Sequence, residues 1–256
     1  MIQRGDSMFK DYGELSALLY EHTKPPGQSI GGDIPYYFDK LADVKGAILE
    51  AGVGTGRMLI PLLQKGFAVD GVDISPEMLA KCKANLDERG LAANLYQQDL
   101  TKLDLPQKYN AIIMPTGSFC LLPREIVGDA LSAFFSHLEV GGKLVVDIIF
   151  PSEFKQGKTF SQIYPFDDGT GILYTNFHRE IDWINQKTSH IIRYELLKDG
   201  EIQQSELSNF TLHWYGIWEM QMLLKTAGFS DISHEFSYGK PGQSSPTPIT
   251  FVAIKR

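Results

Sequence analysis

Three carboxylates stand at or just past the ends of successive apolar runs: Glu50 after Ala47-Ile48-Leu49, Asp73 after the run from Phe67, and Asp99 shortly after Leu95-Tyr96. Between the first two lie Gly52, Gly54 and Gly56 at alternate positions, with Arg57 directly after them. Glycine has no Cβ, so a turn made of these residues can take φ > 0 and let a flat ligand lie against bare backbone beside a helix N-terminus. A dinucleotide fingerprint would space its glycines G-x-G-x-x-G and deliver a pyrophosphate there. In this chain Arg57 occupies the place of the last glycine, and Glu50 sits just ahead of the turn. A carboxylate there repels a pyrophosphate and attracts a cation. Asp73, one run later, can accept both hydroxyls of a ribose.

To act together these residues need strands that end on one side. The run 47–51 into the glycine turn, followed by Met58-Leu59-Ile60-Pro61-Leu62-Leu63, predicts a buried strand bending sharply into a helix. Residues 67–73 predict a second strand, and Ser75-Pro76-Glu77 a capped helix start carrying Met78, Leu79, Cys82 and Leu86 inward. Residues 91–96 and 109–114 predict strands three and four, residues 124–138 a helix and residues 141–149 strand five. Strands alternating with helices specify an α/β fold with a doubly wound, mostly parallel sheet, whose ligands sit at the carboxyl ends of the strands.

Other rhythms flank this core. Residues 9–20 and the stretch after Asp33, with Tyr36, Tyr37, Phe38 and Leu41, predict two N-terminal helices. Residues 172–177, 189–195 and 210–214 are β-rich with no helix between them, and Asp199-Gly200 signals a hairpin. A helix over 217–227, stopped by Gly228, and strands at 232–236 and 249–253 then close the sheet. The expected organisation of residues 1–256 is one domain, with a helical lid at 1–45, a ligand-binding core at 46–150, an antiparallel insertion at 151–215 and a closing helix and strands at 216–256.

Composition narrows the partner. The 256 residues carry a net charge of -7 and no Lys/Arg cluster, which disfavours a nucleic-acid backbone and points to a small molecule. No apolar run is long enough to span a membrane and Met1–Asp6 has no signal-peptide core, so a cytoplasmic protein is expected, as monomer or homodimer. Two cysteines and six histidines without ligand spacing imply no metal.

Glu50-x-Gly52-x-Gly54-x-Gly56 resembles motif I of the class I S-adenosylmethionine (SAM)-dependent methyltransferases. Asp73 and Asp99 follow in the order and spacing of that family, and Ser118-Phe119, residues 210–229 and the pair Tyr12 and Tyr20 are similar to its glycine and aminosugar N-methyltransferases. The resemblance implies a seven-stranded Rossmann-like methyltransferase fold, SAM as cofactor and S-adenosylhomocysteine as product. It places Gly52, Gly54, Gly56 and Arg57 against the cofactor, Asp73 and Ile74 at the ribose, Asp99 and Leu100 at the adenine, and Pro115, Thr116 and Gly117 beside the methionine. Tyr20 matches a tyrosine near the sulfonium, although Glu21 replaces the aspartate usual after it.

Methyl transfer from a sulfonium needs chiefly an in-line nucleophile in a dry site, and a base is optional. Nitrogen is the favoured acceptor over oxygen. Candidate catalytic groups are Tyr20 and His213, with His22 and Asp147 behind them, although alternation with Phe210, Leu212 and Trp214 predicts that His213 faces outward and Asp147 is expected to hydrogen-bond within the fold. Two other readings compete. An NAD(P)-dependent oxidoreductase is suggested by Tyr20-x-x-x-Lys24, which precedes the first core strand instead of following the later ones. A non-catalytic SAM-binding protein is the other.

Overall fold

The computed structural model describes Phe9, residues 12–240 and residues 248–256. The reading of Met1–Asp6 and the Lys10-Asp11 part of the first expected helix lie outside the described residues. In chain order the elements are α1 (Glu14–Thr23), α2 (Asp33–Leu41), β1 (Ile48–Ala51), α3 (Leu59–Gln64), β2 (Val69–Asp73), α4 (Pro76–Glu88), β3 (Leu95–Gln97) and β4 (Tyr109–Met114). Short 3-10 turns at Ser118–Leu121 and Arg124–Ile126 lead to α5 (Val127–His137) and β5 (Leu138–Ile148). Then come β6 (Thr159–Pro165), β7 (Gly171–Asp182), β8 (Lys187–Lys198), β9 (Glu201–His213), α6 (Ile217–Thr226), β10 (Ser230–Phe236) and β11 (Ile249–Ile254).

The chain divides into two compact units. The larger comprises residues 24–152 and 213–256. Its seven strands run in the order β10-β11-β5-β4-β1-β2-β3, parallel from β3 to β5 with β11 antiparallel to β5 and to β10. Every residue of β1 is buried, because both its neighbours are strands and both its faces are covered. Ile48, Tyr37, Leu41, Met58, Leu59, Leu62, Ile113 and Val145 form part of one core that includes α2 as well as α3. The Ser75 hydroxyl caps α4 by accepting the Met78 N–H at 3.1 Å, with Pro76 at the first helical position, as the sequence predicts. Gly228, at φ 102°, ends the α6 segment.

The smaller unit holds residues 1–23 and 153–212. Strands β6-β7-β8-β9 form an antiparallel sheet, including β6, which sequence patterning leaves unseen. Asp199 and Gly200 take φ of 52° and 80°, the paired left-handed geometry whose twist suits a two-residue hairpin. Helix α1 lays Leu15 and Leu19 on Ile172, with Tyr164, Tyr174, Tyr194 and Leu196 packed around them. Of the insertion's other aromatics, Trp183 stands exposed.

The N-terminus of α1 is capped from far along the chain. The Leu15 N–H donates to the Glu206 carboxylate at 3.1 Å, and a Cβ on Gly13 would lie 2.5 Å from that same group. A negative charge suits a helix N-terminus. Replacing Glu206 with Ala is therefore expected to cost about 1 kcal/mol in urea denaturation and to speed amide exchange in the first turn of α1.

Candidate active site

Because β4, β1, β2 and β3 are parallel, their carboxyl ends share one edge, and the loops that follow them build the site. Strand β1 ends in Glu50 and Ala51 and turns at Gly52 (φ 71°), Gly54 (φ 55°) and Gly56 (φ 86°). The three glycines do different work. A Cβ on Gly56 would lie 2.9 Å from the Cys82 sulfur, so that glycine admits α4; one on Gly52 would touch Ser118 and Met114. A Cβ on Gly54 would meet nothing within 4 Å, leaving the bare backbone there facing open space.

The carboxylates differ as much as the glycines. Asp73 accepts the Gly54 N–H and the Ser75 N–H, each at 2.9 Å, and so locks the glycine turn to the end of β2. Burial pushes its carboxyl up against those hydrogen bonds. Asp99 follows two residues after Gln97, the register partner of Asp73. It is exposed, and one oxygen accepts from the Thr101 backbone and hydroxyl. Those bonds hold its carboxyl below the usual range. Leu100 and Ile74 flank these acids, with Ile74 58% exposed despite its apolar side chain.

Glu50 is the outlier. It is buried, its Oε2 has no hydrogen-bond partner among the described residues, and burial pushes its carboxyl up to about 8. The Arg57 charge and the Leu59 N–H oppose that rise, while Asp33 and Asp73 add to it. Asp33, which sequence reasoning missed as a functional group, is fully buried and bonded to Arg57 at 2.6 Å. The same guanidinium donates to the Gln28 carbonyl at 2.9 Å and approaches the Thr116 hydroxyl at 3.4 Å.

The loop after β4 completes the edge. Thr116 and Gly117 both take positive φ, and the Thr116 N–H donates to Asp147 at 2.7 Å. Asp147 also accepts from Tyr238 (2.8 Å) and Thr250 (2.6 Å), the structural role expected for it. Burial pushes it up to about 6 against these bonds. His213 does not face outward as alternation predicts: it is the last residue of β9 and is 9% exposed. Tyr12 and Tyr20 belong to the smaller unit, ahead of and within α1.

This sheet order and acid-lined glycine turn define a Rossmann-like fold of the SAM-dependent methyltransferase type. Residues 48–142 match the family model for a methyltransferase domain. A putative methyltransferase of Geobacillus sp. (strain WCH70) is 26% identical over 227 residues, 81% of this chain and 84% of that one. The dTDP-3-amino-3,4,6-trideoxy-alpha-D-glucopyranose N,N-dimethyltransferase of Streptomyces venezuelae is 29% identical over 162 residues, 62% of this chain and 67% of that one. Among solved structures, the sugar N-methyltransferase KedS8 from Streptoalloteichus sp ATCC 53650 superposes with a TM-score of 0.76 at 22% identity, covering 100% of this chain and 99% of that one. The chain carries a methyltransferase domain and is a SAM-dependent methyltransferase, which displaces the dinucleotide reading.

The residues present fit the cofactor. Gly54 offers open backbone, Asp73 keeps lone pairs beyond its two backbone bonds for a ribose, and the acids at the turn favour a cation. Two outcomes follow. Folded Glu50 holds its proton to about 8 while an unfolded glutamate releases it near 4.5, so its stabilising effect is complete below 4.5 and lost as pH rises to about 8. Thermal unfolding of the cofactor-free protein should show that loss relative to Glu50→Gln, whose curve lacks it. Gly54→Ala and Gly56→Ala both carry about 1–2 kcal/mol of left-handed strain, but Gly56→Ala adds a clash and should be the less stable. Gly54→Ala should weaken SAM binding by roughly tenfold or more in calorimetry.

Proposed function

We propose that the protein transfers the methyl group of SAM to a small-molecule acceptor, at nitrogen in preference to oxygen, by in-line displacement. The observation that carries the reading is the state of the proton acceptors beside the loop after β4. Asp147 is buried with three donors on it, and the Cys120 thiol is pushed up to about 12 by burial. Neither is placed to take a proton from a hydroxyl. A neutral amine brings its own nucleophilic lone pair and loses its proton to solvent after transfer, so it needs neither of these groups as a base. The name of the Streptomyces venezuelae relative, an amino-sugar N,N-dimethyltransferase, supports the same class of acceptor. The acidic chain, at -7 overall, supports a small molecule over a nucleic acid.

When bound, SAM supplies a methyl group already activated on a sulfonium. The chain's part is to bind and orient. Gly52 and Gly54 give bare backbone for close approach, and Asp73 with Ile74 takes the ribose. Asp99 and Leu100 border the adenine, and Pro115, Thr116 and Gly117 run beside the methionine. Asp147 fixes that last loop through the Thr116 N–H. Gly56 and Arg57 act from behind the turn, through packing and through Asp33.

Titration calorimetry with SAM and S-adenosylhomocysteine, followed by turnover on parallel panels of amino sugars, amino acids and phenols, tests this. Binding of both cofactor forms with methylation confined to amines is expected. Methylation of phenols alone would overturn the nitrogen assignment, and binding without turnover on any panel would favour a sensor or scaffold.

A further inference from the structure

Three segments that flank the glycine turn meet at one side chain. Arg57 is 3% exposed and bonds Asp33 of α2, the carbonyl of Gln28 ahead of it, and the hydroxyl of Thr116 after β4. Its own carbonyl accepts the Gly27 N–H at 3.1 Å. Asp33 is equally committed: its other oxygen accepts from the Ser29 hydroxyl and from the backbone of Ile30 and Ile34. A buried ion pair with every oxygen occupied is a strong geometric tie, and a poor source of free charge for a ligand.

Glu50, at the end of β1, is 3% exposed and its Oε2 has no hydrogen-bond partner among the described residues, a buried carboxyl oxygen left for a proton or a cation to satisfy. Its strand neighbours in register are Gly71 on β2 and Ile113 on β4, neither of them charged. The charged groups that reach it are Arg57 from the turn, Asp33 from α2 and Asp73 from the end of β2, together with the Leu59 N–H. The Lys24 ammonium is pushed down by burial and by the Arg57 charge.

We propose that Arg57 is a positioning residue: its guanidinium ties residues 27–33 and the Thr116 loop to the glycine turn and supplies the counter-charge beside buried Glu50, so that SAM, a cation, binds with release of a proton from Glu50. One O–H bond of the carboxylic acid breaks, the proton passes to the buffer, and the carboxylate that remains faces the added positive charge. The proposal rests on the cofactor half of the reaction above and is independent of the acceptor.

Calorimetry of SAM binding at pH 7 in two buffers of different ionisation heat measures the proton count directly on the native protein. Release approaching one proton is expected, with affinity rising by about tenfold for each pH unit below the Glu50 midpoint. Binding with no proton release would overturn the proposal. The protonated-carboxyl infrared band that Glu50→Gln removes reports the midpoint without cofactor, so its outcome is separate from any failure of SAM to bind. Arg57→Met should move that midpoint up and Asp33→Asn should move it down, each by on the order of one pH unit, with Arg57→Lys close to wild type. A purely structural Arg57 would instead weaken binding equally at every pH and leave the midpoint where it was, which would also overturn the proposal.

Discussion

Holding a carboxyl group at the tip of the central strand is the constraint from which the rest of the cofactor edge follows. Glu50 is buried between β2 and β4, where an ionised carboxylate would be strongly disfavoured unless opposed by charge and donors. Arg57 and the Leu59 N–H at the start of α3 oppose that cost only in part, so the carboxyl keeps its proton to about 8. Arg57 is itself a buried charge and needs a partner, which α2 supplies as Asp33. Placing one acid on β1 thus recruits a helix that lies before the sheet in sequence and the loop that follows β4. The contacts that carry this arrangement run from Arg57 to Asp33, the Gln28 carbonyl and the Thr116 hydroxyl.

The second support is Asp147, near the end of β5. It gathers a backbone donor from Thr116 and hydroxyls from Tyr238 and Thr250, so the loop after β4 is fixed by residues from the far side of the sheet. That loop needs such help, since Thr116 holds a left-handed φ of 56° without being glycine. A buried acid satisfied by three donors stiffens a polar centre that would otherwise be the weakest part of the edge. The glycine turn is held in the same manner by Asp73, which accepts the Gly54 N–H. Both flanks of the open backbone at Gly54 are therefore pinned by carboxylates, one through the turn itself and the other through the neighbouring loop.

Much of this was legible in the residue order. The strand and turn around Glu50, the capped start of α4, the Asp-Gly hairpin and the sheet with its antiparallel end all announce themselves through local chemistry: apolar runs, glycine spacing, a capping serine. What escaped was non-local. Asp33 looked like a helix-start acid because nothing adjacent to it shows that Arg57 lies across the fold. The two N-terminal helices read as one lid, yet α1 joins the antiparallel sheet and α2 the parallel one, a division set by which faces Leu15, Leu19, Ile34 and Leu41 find for burial. His213 alternates like a surface residue, yet as the last residue of β9 it is buried. Exposed β6 lacks an apolar alternation to announce it.

An edge built this way selects its ligand by charge before shape. A pyrophosphate would meet the Glu50 and Asp73 carboxyls, with the nearest guanidinium already bound to Asp33 and turned to the Gln28 carbonyl. A sulfonium meets the reverse situation, since an added positive charge favours the ionised form of Glu50 over the protonated one. Loss of the methyl group leaves a neutral thioether, which keeps any ribose bond to Asp73. The demethylated product therefore lacks the charge that favours an ionised Glu50.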